Sequence, residues 1–132
     1  IGDNAGEVVF DKPLVKYLKS QAHTKKVFYS VRGKPIINDA THADAEAAGM
    51  GHLAELISTG CGAPGAVLEQ CSSDFLKIFN EADLVISKGQ GNFEALSDTD
   101  RKIFFLLKAK CHKIATALNV STGAYVLKVN QI

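Results

Sequence analysis

The sequence predicts an α/β fold: a doubly wound, mostly parallel sheet with helices on both faces, of the Rossmann-like kind. Short runs rich in β-branched and aromatic residues alternate with segments whose apolar residues recur at helical spacing. Strands separated by helices favour parallel pairing in a sheet that is covered on both faces. The chain has 132 residues, of which 46% are hydrophobic, enough for one domain with a sizeable core. Residues 1–132 are therefore interpreted as a single α/β domain.

The first predicted helix spans residues 6–20, where apolar residues recur at helical spacing. Pro13 lacks an N–H group and crowds the preceding turn. It should therefore kink this helix, or separate a short opening segment from a main helix that begins near Asp11. Four further helical segments are predicted: residues 43–48, 53–57, 73–82 and 111–118.

Strands are predicted where β-branched and aromatic residues cluster in short runs. These runs are residues 27–31, 84–86, 103–107 and 125–129. The glycine-rich stretch at 59–65 is expected to be the most flexible loop. Within it, Cys61 is the one thiol whose surroundings permit reactivity, whereas Cys111 is expected to be buried on a helix face.

Composition excludes several classes of function. The 15 basic and 14 acidic side chains nearly cancel and form no long block, so a nucleic-acid footprint or a polybasic membrane patch is not expected. The longest apolar run, residues 103–107, is far shorter than the roughly 20 residues that cross a bilayer. Three cysteines without C-x-x-C spacing favour neither a disulfide framework nor a zinc site, and fit a reducing cytoplasm.

Polar clusters follow four of the apolar runs, at residues 3–7, 38–41, 59–62 and 88–92. Loops that leave the carboxyl ends of parallel strands converge on one edge of the sheet, so these clusters can share one crevice. Together they supply carboxylates, amide oxygens, a lysine and unhindered backbone N–H groups. That set is typical of a site in which a hard metal ion holds a phosphate.

Two of these clusters also have a simpler interpretation. Asp3 or Asn4 can cap the helix that follows, and Asn38 with Asp39 can form an Asx turn before the next helix. The functional interpretation rests on their pairing. A carboxylate and an amide stand side by side at each of two predicted strand ends, where hard cations find oxygen ligands.

Lys88 begins a glycine-rich turn after a predicted strand. Glycines let the backbone approach a ligand, and N–H groups at a helix start attract anions. The turn is not a P-loop, in which the lysine follows the glycines and precedes Ser or Thr. A dinucleotide-binding turn is the nearer alternative, because Gly89 and Gly91 have the right spacing. In this chain, however, Glu94 replaces the third small residue of the dinucleotide-binding motif. The next strand also ends without the acidic residue that would bind a ribose hydroxyl.

Four longer motifs resemble the metal-dependent damage-control phosphatase (ARMT-like) family, in the expected order and over nearly the whole chain. They lie at residues 3–7, 35–41, 88–94 and 106–111. The resemblance implies a doubly wound α/β core with a divalent metal (Mg, Mn, Co or Ni) at the carboxyl edge of the sheet. It also implies hydrolysis of small phosphorylated metabolites, such as sugar phosphates or damaged phosphometabolites.

Matched motif by motif, the resemblance implies metal ligands at Asp3, Asn4 and Asp39, and a phosphate-binding cation at Lys88. The expected catalytic residues are Asp3, Asp39 and Lys88, with the metal as Lewis acid and template. Either aspartate could orient the attacking water or attack phosphorus directly. Haloacid-dehalogenase-type enzymes use such a nucleophile, but Ala5 stands where they have a second catalytic aspartate.

Glu7, Asn38 and Asn92 are weaker candidates, again by resemblance, either for contacting the substrate or for supporting the residues that bind the metal. Similar proteins carry an additional helical region before the first motif, and only Ile1 and Gly2 precede it here. An upstream fragment of the same polypeptide is therefore an expected partner. The competing class of function is a non-catalytic metal-binding or phosphometabolite-binding module.

Overall fold

The structure is a computed structural model that describes residues 1–130. Five strands lie within these residues: β1 (Phe28–Val31), β2 (Glu55–Ser58), β3 (Ile86–Lys88), β4 (Phe104–Lys108) and β5 (Tyr125–Val129). The same residues contain five α-helices: α1 (Val8–Ser20), α2 (His42–Ala47), α3 (Ser73–Glu81), α4 (Gln90–Leu96) and α5 (His112–Leu118). Between residues 1 and 130, no helix has the length and apolarity that a bilayer-spanning segment requires.

Strand pairing forms two small sheets within the described residues. In the first sheet β1 and β2 are parallel, and in the second β3 is parallel to β4 while β4 is antiparallel to β5. The predicted α/β class is therefore confirmed at the level of mixed helices and sheets. One continuous doubly wound sheet is not what the strand pairing shows, and that finer prediction is not confirmed.

The first two residues lie between the two sheets and connect them by backbone hydrogen bonds. The N–H of Gly2 donates to the carbonyl of Ser30 in β1 at 2.9 Å, and the N–H of Lys88 in β3 donates to the carbonyl of Ile1 at 3.0 Å. These bonds satisfy polar backbone groups where the sheets meet. Asp3 follows directly, so this connection places the first predicted site residue at the junction of the two sheets.

Helix α1 is continuous through Pro13, and does not start at Asp11. The missing N–H of Pro13 deprives the Val9 carbonyl of its helical donor, and Val9 is exposed, so water can replace that donor.

Two predicted elements are wrong in type or position. Residues 53–57 were expected to be helical, but Glu55–Ser58 forms β2, because a short apolar run does not distinguish a strand from a helix by periodicity. The third strand begins at Ile86 rather than at Leu84, whose side chain is 48% exposed. The other predicted helices and strands lie within a few residues of their expected positions.

The structure also corrects the expectations that Cys111 is buried and that Cys61 is an accessible thiol. Cys111 is exposed, and it is the extended N-cap residue of α5, so it lies outside the helix whose buried residues are Ile114 and Ala115. Cys61 is buried, with a backbone N–H donated to its sulfur by Ala63, so it is not an accessible thiol. Burial raises the pKa of the Cys71 thiol to about 12, which keeps it protonated at neutral pH.

Each sheet has its own apolar core. The larger core surrounds β3 and β4, where the Phe93 and Phe105 rings pack edge to face with centroids 5.1 Å apart. The smaller core lies between α1 and β1 and includes Val8, Val31 and Met50. The polar residues of the predicted site lie where these two cores meet.

Replacing the fully buried Phe105 by Ala should lower the free energy of unfolding by about 3–5 kcal/mol, because it leaves a cavity in the larger core. Urea denaturation followed by circular dichroism measures this loss. Phe10→Ala is the matched control, since Phe10 is 80% exposed and its loss should change stability little. Equal losses for both variants would contradict the assigned core.

Candidate functional site

The structure brings the first two predicted motifs together through backbone pairing. Asn4 and Asp39 form an isolated antiparallel bridge. On either side of it, the N–H of Ala5 donates to the Asn38 carbonyl at 2.8 Å, and the N–H of Ala40 donates to the Asp3 carbonyl at 2.8 Å. The side chains expected to bind a metal are therefore held by two hydrogen-bonded segments that are far apart in sequence.

The capping interpretation of Asn4 is not what the structure shows. Asn4 precedes the short 3₁₀ helix Ala5–Glu7, but its side chain makes no capping hydrogen bond there. Instead its Nδ2 donates to Asp3 Oδ2 at 3.3 Å and to Glu7 Oε1 at 3.0 Å. Within residues 1–130 its Oδ1 receives no hydrogen bond, so that oxygen is free to bind a cation.

Asp39 is likewise free of a capping role. Helix α2 is capped by Thr41, whose hydroxyl accepts from the N–H of Asp44 while the Asp44 carboxylate accepts from the N–H of Thr41. Asp39 lies two residues earlier, and its Oδ2 accepts from Arg32 Nε at 2.7 Å. Asn38 contributes its backbone to the bridge, and its side chain is exposed at the edge of the site.

Asp3 carries the most perturbed carboxylate of the cluster. Burial, with repulsion from Glu7 and Asp39, raises its pKa to about 6, although Lys110 and Arg32 act in the opposite direction. Its carboxylate packs against Gly89, where a Cβ atom would overlap it and where the backbone φ is +86°. A glycine is therefore required at this contact for both steric and conformational reasons.

Lys88 directly precedes Gly89, which contacts Asp3, but its ammonium group already has two anionic partners. Its Nζ donates to Glu7 Oε2 and to Asp11 Oδ1, both at 2.6 Å. Burial alone would lower the pKa of Lys88, yet these two hydrogen bonds raise it. For Glu7, burial alone would raise the pKa, but the bonds from Lys88 and Asn4 lower it. One of the three Lys88 donors remains for a phosphate.

Sequence reasoning missed Asp11 and Arg32. Asp11 lies four residues after Glu7, on the same face of the helical segment, and also accepts a 2.7 Å hydrogen bond from the Tyr29 hydroxyl. The four-residue separation of Glu7 and Asp11 could therefore have indicated in the sequence that the two carboxylates lie side by side. Arg32, whose side chain is 1% exposed, is an isolated charge near the end of a strand, and no pattern in the sequence marks it.

Asn92 was a candidate either for contacting the substrate or for supporting the site residues, and the structure places it beneath the surface. Its side chain is fully buried, and its Oδ1 accepts from Arg32 Nη2 at 2.9 Å and from the N–H of Ala66 at 3.0 Å. Its Nδ2 donates to the Gly2 carbonyl at 3.0 Å and to the Lys88 carbonyl at 2.7 Å. All its hydrogen-bonding capacity is therefore used inside the protein.

An open cleft of about 550 Å³ leads from Asp3, Glu7 and Lys88 toward β4 and β5. Its far side carries Leu106, Leu127 and Tyr125, and the ammonium group of Lys108 lies 5.4 Å from the Tyr125 ring centroid. The cleft is thus charged at one end and largely apolar at the other. Such a surface suits a small molecule with one charged group.

The donor set fits a hard divalent cation. Within residues 1–130, no group of three or more His, Cys, Asp or Glu side chains is placed to hold a metal ion. Asp3, Asn4 and Asp39 instead offer two carboxylates and an amide oxygen. Magnesium typically binds such oxygen ligands and completes its shell with water or phosphate. Burial, followed by repulsion from Glu7 and Asp39, raises the pKa of Asp3, and a bound cation would relieve that repulsion.

Comparison with known proteins establishes the family. The model of the damage-control phosphatase ARMT1-like domain matches residues 1–126. The chain therefore belongs to the ARMT1-like damage-control phosphatase family, as its motifs predicted.

Archaeal relatives and a solved structure agree with this assignment. The chain is 45% identical over 132 residues to a damage-control phosphatase of Pyrococcus horikoshii and 43% identical over 129 residues to one of Archaeoglobus fulgidus, covering 46% and 44% of their lengths. The crystal structure of a DUF89-family protein from P. horikoshii matches 99% of the chain with a TM-score of 0.94 and 44% identity. The chain covers 46% of that protein, so it spans less than half the length of these relatives.

Asn92→Ala should lower the free energy of unfolding by about 3 kcal/mol, because it leaves several buried groups, including the Arg32 guanidinium, without a partner. Thermal and urea denaturation measure the loss. Asn80→Ala is the matched control, since Asn80 is an exposed residue of α3. A loss no larger than that of the control would contradict the linking role of Asn92.

Proposed function

We propose that the protein is a metal-dependent phosphatase that hydrolyses small phosphate esters, such as sugar phosphates or damaged phosphometabolites, in the cytoplasm. The observation that supports this most strongly is the pairing of Asn4 with Asp39, which holds the segment carrying Asp3 and Asn4 against the segment carrying Asp39. Membership of a family with relatives named damage-control phosphatases supports the same reaction class.

In this proposal Asp3, Asn4 and Asp39 hold the cation. When bound, a divalent cation supplies Lewis-acid activation and a template for the phosphoryl group and water. Asp3 and Asp39 each have an oxygen that receives no hydrogen bond within residues 1–130, which suits them to binding the cation or orienting the attacking water.

Lys88 would neutralise charge on a phosphoryl oxygen with its remaining N–H donor. Glu7 and Asp11 fix the ammonium group in place, and their hydrogen bonds keep it protonated by raising its pKa. Because the ammonium is already positioned, little side-chain entropy would be lost when a phosphate binds. Asn38, exposed at the edge of the site, is available for a further substrate contact.

The apolar end of the cleft would receive the organic part of the substrate. Tyr125 and Leu127 are largely exposed on this side. We also propose that a segment equivalent to the remainder of the longer relatives is a partner of this chain and covers the open cleft. Closing it would exclude water and strengthen electrostatic contacts with the phosphate.

A non-catalytic metal-binding or phosphometabolite-binding module is the second candidate. It is favoured by the two carboxylates that already compensate the charge of Lys88, since they weaken its attraction for a phosphate. Turnover of p-nitrophenyl phosphate in the presence of Mg²⁺, Mn²⁺, Co²⁺ or Ni²⁺ distinguishes the two functions. Metal binding without turnover of this ester or of a phosphometabolite panel would favour the binding module.

Asp3→Asn and Asp39→Asn should each reduce metal-dependent hydrolysis about 100-fold or more, or roughly 2.7 kcal/mol of transition-state stabilisation. Asparagine is preferable to alanine at position 39, because it leaves an acceptor for the buried Arg32. Steady-state kinetics with saturating metal measures the effect. Asp83→Asn, an exposed change outside the site, is the control. Full activity in either site variant would refute the ligand assignment.

Lys88→Met should reduce kcat/KM by at least about tenfold, or roughly 1.4 kcal/mol, without weakening metal affinity. Methionine retains the length of the side chain but removes the charge that contacts phosphate. Kinetics and calorimetric metal titration test the two parts separately, with the exposed Lys77→Met as control. If metal binding fell as much as activity, Lys88 would be a structural lysine rather than a substrate contact.

A further inference from the structure

We propose that Arg32 is a positioning residue that orients the Asp39 carboxylate for the metal and ties it, through Asn92, to the segment that carries Lys88. The inference rests on the proposed function, because it concerns how the cation is held. It assigns a role to a side chain that lies beneath the site and does not line the cleft.

The first hydrogen bond of the Arg32 side chain is to Asp39. Arg32 Nε donates to Asp39 Oδ2 at 2.7 Å, and the two side chains are 1% and 9% exposed. Within residues 1–130, Asp39 Oδ1 receives no hydrogen bond. One carboxylate oxygen is therefore fixed by the guanidinium while the other is left for a cation, which is how outer partners orient metal ligands.

The second hydrogen bond of the Arg32 side chain leads through Asn92 to the segment that carries Lys88. Arg32 Nη2 donates to Asn92 Oδ1 at 2.9 Å, and Asn92 Nδ2 donates to the Lys88 carbonyl at 2.7 Å. A chain of three hydrogen bonds thus connects a proposed metal ligand to the backbone of the proposed phosphate-binding residue. The planar guanidinium makes both contacts at once, whereas the point charge of a lysine cannot reproduce this geometry.

Stability alone is a poor explanation for a guanidinium in this position. Burying an ion pair costs desolvation, and well-packed apolar residues often replace such pairs without loss of stability. In addition, Arg32 Nη1 is buried and has no hydrogen-bond partner within residues 1–130.

The test compares Arg32→Lys with Arg101→Lys in the native full-length protein. Arg101 is a partly buried arginine remote from the cleft, and its Nε also lacks a partner within residues 1–130. Mn²⁺ alone is titrated and free Mn²⁺ is followed by electron paramagnetic resonance, with folding checked by circular dichroism. We expect Arg32→Lys to weaken Mn²⁺ binding about tenfold or more and Arg101→Lys to leave it unchanged. Unchanged affinity in folded Arg32→Lys would overturn the inference.

A second measurement needs no variant at position 32. The side-chain Nε–Hε NMR signals of both arginines are followed in wild-type protein as Mg²⁺ is added. The Arg32 signal should shift with the same midpoint as the Asp39 backbone amide, and the Arg101 signal should not move. A shift of the Asp39 amide signal without a shift of the Arg32 signal would overturn the role of Arg32 but leave the proposed metal site standing. A wild-type protein that binds neither Mn²⁺ nor Mg²⁺ would overturn the proposed metal site as well.

Discussion

A buried hydrogen-bond network around Asn92 is the constraint on which the rest of the structure depends. The two sheets share no strand pairing among residues 1–130, and polar groups where they meet lie away from water. Asn92 bonds to Gly2, Lys88, Ala66 and Arg32, so it joins α4 to the connecting segment and to the first sheet. Because any unpaired group there would cost free energy, the network fixes one relative placement of the two halves.

The same placement determines how charge is distributed. Lys88 pairs with Glu7 and Asp11, and Arg32 pairs with Asp39. Asp3 has no cation partner within hydrogen-bonding distance in residues 1–130, and burial raises its pKa to about 6. A buried carboxylate that faces other carboxylates favours neutralisation by a proton or by a metal ion. The electrostatics therefore support the proposal that a cation binds beside Asp3.

The sequence predicted the parts of this site that depend on local pattern. Asp3, Asn4 and Asp39 were expected to meet because they follow predicted strand ends. In the structure Asn4 meets Asp39 through an isolated antiparallel bridge instead, and β1 already ends at Val31. The sequence did not predict the strand at Glu55–Ser58, because its apolar run is too short to show a period. The sequence also did not predict the roles of Arg32 and Asn92. A buried link between sheets arises only when both sheets are assembled, and a single charged or amide residue leaves no periodic signal.

Charge balance also gives a reason why the proposed cation at Asp3 would matter for binding a phosphate as well as for chemistry. Around the charged end of the cleft, the carboxylates of Asp3, Glu7, Asp11 and Asp39 outnumber the cations Arg32, Lys88 and Lys110 when all are ionised. The charge of Lys88 is already compensated by Glu7 and Asp11, so Lys88 by itself does not make this region attractive to an anion. A divalent cation held by Asp3 and Asp39, as proposed above, would reverse the local sign of charge, and the remaining donor of Lys88 would then add to the attraction for a phosphate.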